Sequence, residues 1–239
     1  MIRRPHVLAL FTVASGLAGS PASHASELTY TYVDFQAVGT SGGQTGQQVP
    51  VPGQTVTAQT QDGDGISIGG SVALGQRFFF GGRFQTSVID VNAVVTNPFG
   101  VTTAQDNFDL IQSRLAFGYY REMGETFDLT AELSLDSVEY DFGSFAGESF
   151  DMRDEGVGVR LGFRWNPRVP LEVSGYAHYS PIGKADLTTG EFDSDTNVGA
   201  GVMWYFFRDL GIGVDYATGE TDSVAFSMRF SFGDLGLQR

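Results

Sequence analysis

Apolar residues alternate with small or polar residues along much of this chain. The clearest example is the sequence VAFSMRFSF at residues 224–232, where Val, Phe and Met occupy the even positions and Ala, Ser and Arg the odd ones. A period of two places alternate side chains on opposite faces of a β-strand. The pattern therefore predicts strands with one apolar face and one small or polar face.

Ten segments of the chain carry this alternation. They are residues 27–37, 64–74, 77–88, 108–121, 126–140, 156–165, 171–180, 198–206, 210–216 and 224–232. Short turns follow the second, fourth, sixth and eighth segments, and longer connections follow the others. The first long connection, residues 38–63, is rich in Gly, Gln, Thr and Pro, which predicts a loop.

The first 25 residues have the features of a secretory signal peptide. Arg3 and Arg4 precede an apolar run at residues 7–19, and the small residues Ser23 and Ala25 flank His24. This arrangement predicts cleavage after Ala25, with residues 26–239 as a single domain. No other run approaches the roughly 20 apolar residues of a membrane-spanning helix, so a membrane-spanning form would have to use strands.

Composition narrows the classes of function. The chain has no Cys, which removes disulfides and thiol catalysis. Its net charge of −14 makes nucleic acid a poor partner. The sequence contains no phosphate loop, nucleotide fingerprint or metal-ligand spacing, so neither a cofactor nor a metal is expected.

Strand number and loop lengths predict an all-β, antiparallel, up-and-down transmembrane barrel. Tight turns at one end and longer connections at the other are typical of such barrels, and an even strand number puts both chain ends on the periplasmic side. We predict ten strands, with eight as the alternative. A soluble β-sandwich is a further alternative, but its polar face would be richer in Lys and Glu. Aromatic residues near the segment ends resemble membrane-interface girdles: Tyr30, Phe78, Tyr119, Tyr120, Phe127, Trp165, Tyr179, Trp204 and Phe206.

The chain resembles the small outer-membrane β-barrel proteins of Gram-negative bacteria, the OmpA-like or porin-like superfamily without a periplasmic domain. The resemblance lies in LTYTYVD (28–34), DGDGISIGGSVAL (62–74), TAELSL (130–135), GVGVRLGF (156–163) and VAFSMRFSF (224–232). It implies a monomer in the outer membrane, with membrane lipid, lipopolysaccharide and the barrel-assembly machinery as partners. Phe230 and Phe232 match the terminal aromatic assembly signal of that superfamily, although seven residues follow them.

Charged residues on the non-apolar face are predicted to point into the barrel. The cations are Arg77, Arg83, Arg114, Arg160, Arg164 and Arg229, and the anions are Asp128, Glu132, Asp136, Glu172 and Asp215. Buried charges need partners, so the two sets predict a lumen charge network. Such a network would either plug a narrow barrel or line a narrow polar path, and the small barrel size favours the plug.

His178 and Ser180 are the residues that could form a catalytic site. The sequence His178-Tyr179-Ser180 resembles the His-x-Ser of lipid A deacylases, and Glu191 or Asp193 could orient the histidine. However, the strand alternation puts both residues on the lumen face, and Pro181 stands where that family has Asn. We therefore expect a non-enzymatic structural, surface-interaction or narrow-pore role, with a lipid A-modifying hydrolase as the alternative.

Overall fold

The described residues form strands, several of which are joined by tight turns. A computed structural model describes residues 28–41, 47–51, 54–145, 148–168, 170–186, 189, 191–219 and 221–232. The strands are β1 (Tyr32–Ser41), β2 (Gln47–Val51), β3 (Gln54–Leu74), β4 (Phe78–Asn97), β5 (Gly100–Glu122), β6 (Phe127–Phe145), β7 (Glu148–Arg168), β8 (Leu171–Asp186), β9 (Glu191–Phe207), β10 (Leu210–Thr218) and β11 (Asp222–Ser231). Across these ranges the chain has no helix long and apolar enough to cross a membrane.

Ten of the strands close into an antiparallel barrel. From β3 to β11 each strand pairs with the next one in the chain, and β1 pairs with both β11 and β3. Tyr32 lies opposite Ser231 on one side and Ser71 on the other. The ten-strand prediction is therefore confirmed, and the eight-strand and sandwich alternatives are wrong. Strand β2 lies beyond the end of β1 and pairs with the first residues of β3.

Strands β3 to β7 are much longer than a membrane requires. They contain 19 to 23 residues, whereas about 9–11 residues of a tilted strand cross the hydrocarbon core. Their outer halves extend the barrel wall beyond the predicted segments. The loop expected at residues 38–63 is accordingly wrong, because most of its described residues form the end of β1, strand β2 and the start of β3.

Tight turns close the opposite end of the barrel. Gly75 has φ 70° in the turn between β3 and β4, and Gly124 has φ 142° in the turn between β5 and β6. Residues with a Cβ rarely adopt these angles, so glycine permits the short connections. Arg77 lies in the first of these turns and is exposed. The expectation that Arg77 points into the lumen is wrong, because strand β4 begins one residue later.

The outer surface of the barrel is an apolar belt. Leu133, Leu161 and Phe226 expose 57%, 60% and 65% of their surface, and each of the ten barrel strands exposes large apolar side chains. A continuous apolar surface of this extent is typical of contact with lipid. The opposite faces of the same strands enclose a lumen that contains polar side chains, with an apolar or aromatic cluster towards each end.

Candidate functional site

The candidate site is the lumen, and an aromatic layer occupies its turn end. The ring of Tyr30 stacks on Tyr120 and Phe79 at centroid distances of 4.0 and 5.1 Å. The Tyr30 hydroxyl donates a hydrogen bond to Asp128 Oδ2 at 3.0 Å. All four side chains are buried. This layer fills the barrel just inside the tight turns.

Glu172 joins the aromatic layer to the charges above it. Its carboxylate accepts two hydrogen bonds from Arg164, at 3.0 and 2.8 Å, and one from Arg229 at 3.1 Å. The Tyr205 hydroxyl donates a fourth at 3.0 Å. Arg164 also donates to the Thr29 carbonyl at 2.7 Å and lies over the Tyr30 ring. Paired, bidentate geometry of this kind offsets the cost of burying the charges.

A second ion pair lies on the wall formed by β1, β3 and β4. Arg83 Nη2 donates to Asp34 Oδ2 at 2.8 Å, and Asp34 is fully buried. In the cross-strand row Gly69 sits between Asp34 and Arg83. Because Gly69 has no side chain, the two can meet above it; a Cβ there would collide with Asp34.

Asp215 belongs to the same polar layer. Its Oδ2 accepts hydrogen bonds from Ser227 at 3.1 Å and from Gln36 at 3.4 Å. Gln36 in turn accepts a hydrogen bond from Arg83. These contacts connect Asp215 to the Asp34–Arg83 pair, so β1, β4, β10 and β11 share one hydrogen-bonded network.

A cavity of about 140 Å³ lies beside this network. Arg114, Glu132 and Arg160 line it. The Arg160 guanidinium lies 3.5 Å from the centre of the Tyr176 ring. Among the described residues, none of these three charged side chains has an oppositely charged partner within 4.0 Å.

His178 lies further along the lumen, towards the end of the barrel opposite the tight turns. Its Nε2 is 3.1 Å from Asp136 Oδ2 and 3.5 Å from Ser134 Oγ. All three residues and Ser180 are buried inside the barrel. Glu191 and Asp193, which the sequence suggested as orienting residues, are exposed and lie opposite Asp186 and Lys184. The Asp136 carboxylate contacts His178 instead. The two side chains, from β6 and β8, can meet because Gly158 on the strand between them has no side chain.

An apolar cluster fills the lumen beyond His178. Ile89, Phe108, Leu110, Val138 and Ile182 are its buried members. Partly buried aromatic residues pack against them, among them Phe142 and Phe192. The lumen therefore contains three layers, with aromatic residues at the turn end, charges in the middle and apolar side chains at the opposite end.

The structure places ten of the eleven predicted lumen charges inside the barrel, all but Arg77, although it does not join them all into one network. Arg164 and Arg229 pair with Glu172. Arg229 also lies 4.0 Å from Asp34, the partner of Arg83, and Gln36 links Arg83 to Asp215. Asp128 bonds to Tyr30, Asp136 pairs with His178, and Arg114, Glu132 and Arg160 stand apart. Phe230 and Phe232 lie on the exposed outer face. Within the described part of the chain, no group of three metal-binding side chains is present.

Several lumen residues were missed from the sequence. Tyr30 and Tyr120 were assigned to an interface girdle, and that assignment is wrong because both rings are buried inside the barrel. Asp34 was not recognised, since the first segment was read with Tyr30 and Tyr32 on its apolar side. The acid at position 34 shares their parity, and a carboxylate facing lipid would have been costly. The acid at position 34 could therefore have shown that the even-numbered residues of this segment face the lumen.

No known protein-family model and no curated protein matches the chain. Solved structures do match. The translocator domain of the autotransporter NalP from Neisseria meningitidis superimposes with a TM-score of 0.51 at 13% identity, covering 85% of this chain and 89% of that one. The transport unit of the autotransporter AIDA-I from Escherichia coli gives 0.51 at 12% identity, covering 88% and 93%. This chain has the fold of an outer-membrane β-barrel.

The barrel fold and the apolar belt together support an outer-membrane location. At 12–13% identity the matches concern the fold alone. The predicted signal peptide and its cleavage after Ala25 lie outside the described residues.

Proposed function

We propose that this outer-membrane barrel has a closed lumen and a structural and surface-presenting role. The observation that carries the proposal is the filling of the lumen at both ends, by the stacked Tyr30 layer and by the Phe108 cluster. Small barrels are usually filled by their own side chains, which makes them rigid supports for what they display outside the membrane.

The extended strands are the part that the barrel would present. The hairpin of β4 and β5 continues as a regular ladder to Asn97 and Gly100. Phe99 at its tip is 99% exposed and Val101 next to it is 66% exposed. Apolar groups exposed to water at the end of a rigid hairpin favour contact with another surface. The lipid and lipopolysaccharide around the barrel, and its assembly by the barrel-assembly machinery, remain part of this proposal.

A narrow pore is the second candidate, and the polar cavity in the middle of the lumen favours it. Ion passage would require both end layers to move. A lipid A-modifying hydrolase receives less support, because His178 and Ser180 are buried in the lumen, whereas lipid contacts the other face of the strands.

Conductance of the refolded protein in a planar bilayer tests the closed lumen. We expect the wild-type protein to give no discrete ion steps. A double variant, Tyr30→Ala with Phe108→Ala, removes one ring from each end layer and should produce steps. Phe226→Ala is the matched control, since it removes a ring from the lipid-facing belt and should remain silent.

Folding of each variant is checked by its heat-modifiable migration on gels. Discrete steps from the wild-type protein that change on replacing Arg114 or Glu132 would contradict a closed lumen and support the narrow pore. A folded double variant that stays silent would mean that Tyr30 and Phe108 are not the closing groups.

A further inference from the structure

The central cavity contains more positive than negative charge. Five arginines line it, Arg83, Arg114, Arg160, Arg164 and Arg229, together with three carboxylates, Glu132, Glu172 and Asp215. Asp34, which pairs with Arg83, and Asp128, which bonds to Tyr30, lie outside the lining, so the excess is confined to the residues that line the cavity. In a lumen shielded from bulk water such an excess is poorly screened and attracts an anion.

Two of the five arginines lack the close ion pairs that the other three make. Arg83 pairs with Asp34, while Arg164 and Arg229 share Glu172. Arg114 and Arg160 have no carboxylate within 4.0 Å among the described residues. The acid directly opposite Arg114 in the β6 ladder is Asp136, which contacts His178 instead.

The surroundings hold these arginines at the cavity. Arg114 lies directly across from Arg83 on the neighbouring strand, so the two like charges repel, and Glu132 offsets this repulsion only from beyond 4.0 Å. The Arg160 guanidinium is held over the Tyr176 ring, which fixes the plane of its N–H donors. A planar guanidinium with free donors binds carboxylate or phosphate oxygens more strongly than it binds water.

We propose that the cavity is a binding site for a small oxoanion, a carboxylate or phosphate group held by Arg114 and Arg160. A volume of about 140 Å³ accommodates several waters or one such group. Glu132 lies opposite Arg160 in the strand ladder and competes with the anion for the arginines. The bound group supplies the close anionic oxygens that Arg114 and Arg160 lack among the described residues.

Binding of inorganic phosphate and of acetate to the refolded full chain tests this site. The protein is refolded with the probe present at constant ionic strength, so that loading does not depend on whether the end layers open. Equilibrium dialysis should find one saturable site. Arg114→Gln and Arg160→Gln should each weaken binding about tenfold, since each removes a charge-assisted hydrogen bond. Their double variant should abolish binding.

Two further variants separate this site from general charge effects. Glu132→Gln removes the competing carboxylate and should tighten binding. Arg153→Gln, a charge change at an exposed pair with Glu155, should leave binding unchanged. The lumen variants are expected to fold, because the arginines removed have no carboxylate partner, and gel migration verifies this. No saturable binding of either probe would overturn the proposal, as would binding retained by the folded double variant. Neither result depends on conductance.

Discussion

Glu172 joins two layers of the lumen through four hydrogen bonds. It accepts hydrogen bonds from Arg164, Arg229 and Tyr205 and is only 4% exposed. Through Arg164 it also fixes the Thr29 carbonyl, and so the segment that positions the Tyr30 ring. One carboxylate thus holds both the middle layer and the aromatic layer in place.

Replacing this carboxylate should destabilise the barrel strongly. In Glu172→Gln two buried guanidiniums lose their shared counter-charge, and breaking a buried pair of this kind costs about 3–5 kcal/mol. The free energy of unfolding is measured with urea in lipid vesicles, followed by gel migration. The control Glu155→Gln breaks an exposed pair with Arg153 and should change it by less than about 1 kcal/mol. Equal losses in the two variants would argue against the structural role of Glu172.

Residue-level prediction from the sequence worked where a charge marked the inner face. The alternation put Arg83, Arg164 and Glu172 in the lumen without knowledge of their partners. It failed at Tyr30 and Tyr120, because an aromatic ring suits both a membrane interface and a filled lumen. Whether such a ring lies at the interface or in the lumen depends on contacts with residues distant in sequence. Asp128, for example, is 98 positions from Tyr30, and the two-residue period does not encode that contact.

At the scale of strands, the membrane-spanning halves could be predicted and the outer halves could not. A two-residue period arises only where one face meets an apolar surrounding and the other does not. Above the membrane both faces of β4 and β5 meet water along much of their length, so the sequence from Val91 to Asp106 has β-branched residues but no alternation. Strand propensity without a pattern was read as loop.

The outer hairpin should therefore be dispensable for the barrel itself. Val91 and Asp106 lie opposite each other, so residues 92–105 can be replaced by an Asn-Gly turn without a register change. We expect the shortened protein to fold with an unfolding free energy within about 1 kcal/mol of the wild type, because the removed pairs bury little apolar surface.

A smaller deletion inside the membrane provides the comparison. Removing residues 83–84 and 113–114 shortens each of the same two strands by two residues and takes away the Arg83 contacts. This variant should fail to show heat-modifiable migration. If instead the hairpin deletion prevents folding, the outer halves are part of the folding unit and not an appendage.

On the scale of the whole molecule, the barrel is arranged inside out relative to a soluble protein. In its membrane-spanning part the charges of the lumen network lie within and most large apolar side chains lie on the surface, with Leu133 in the middle of strand β6. An arginine at the middle of a lipid-facing strand costs about 2–4 kcal/mol in barrels of this kind.

Leu133→Arg is therefore expected to lower the free energy of unfolding from vesicles by about that amount. Thr102→Arg, on the exposed outer part of β5, should have almost no effect. Unfolding in urea, measured by Trp165 and Trp204 fluorescence, compares the two. If both variants behave alike, the apolar belt does not face lipid at residue 133.

The barrel closes at β1, and this closure affects how the protein folds. Thr29 contacts Phe232 across 203 positions of sequence, and β1 forms ladders with both the last strand and β3. Contacts between chain ends carry a large loop-closure entropy and slow folding. The ring cannot form until the final strand has arrived, so the first strand must wait with an unpaired edge. The time between export and closure is when this chain most needs protection from aggregation.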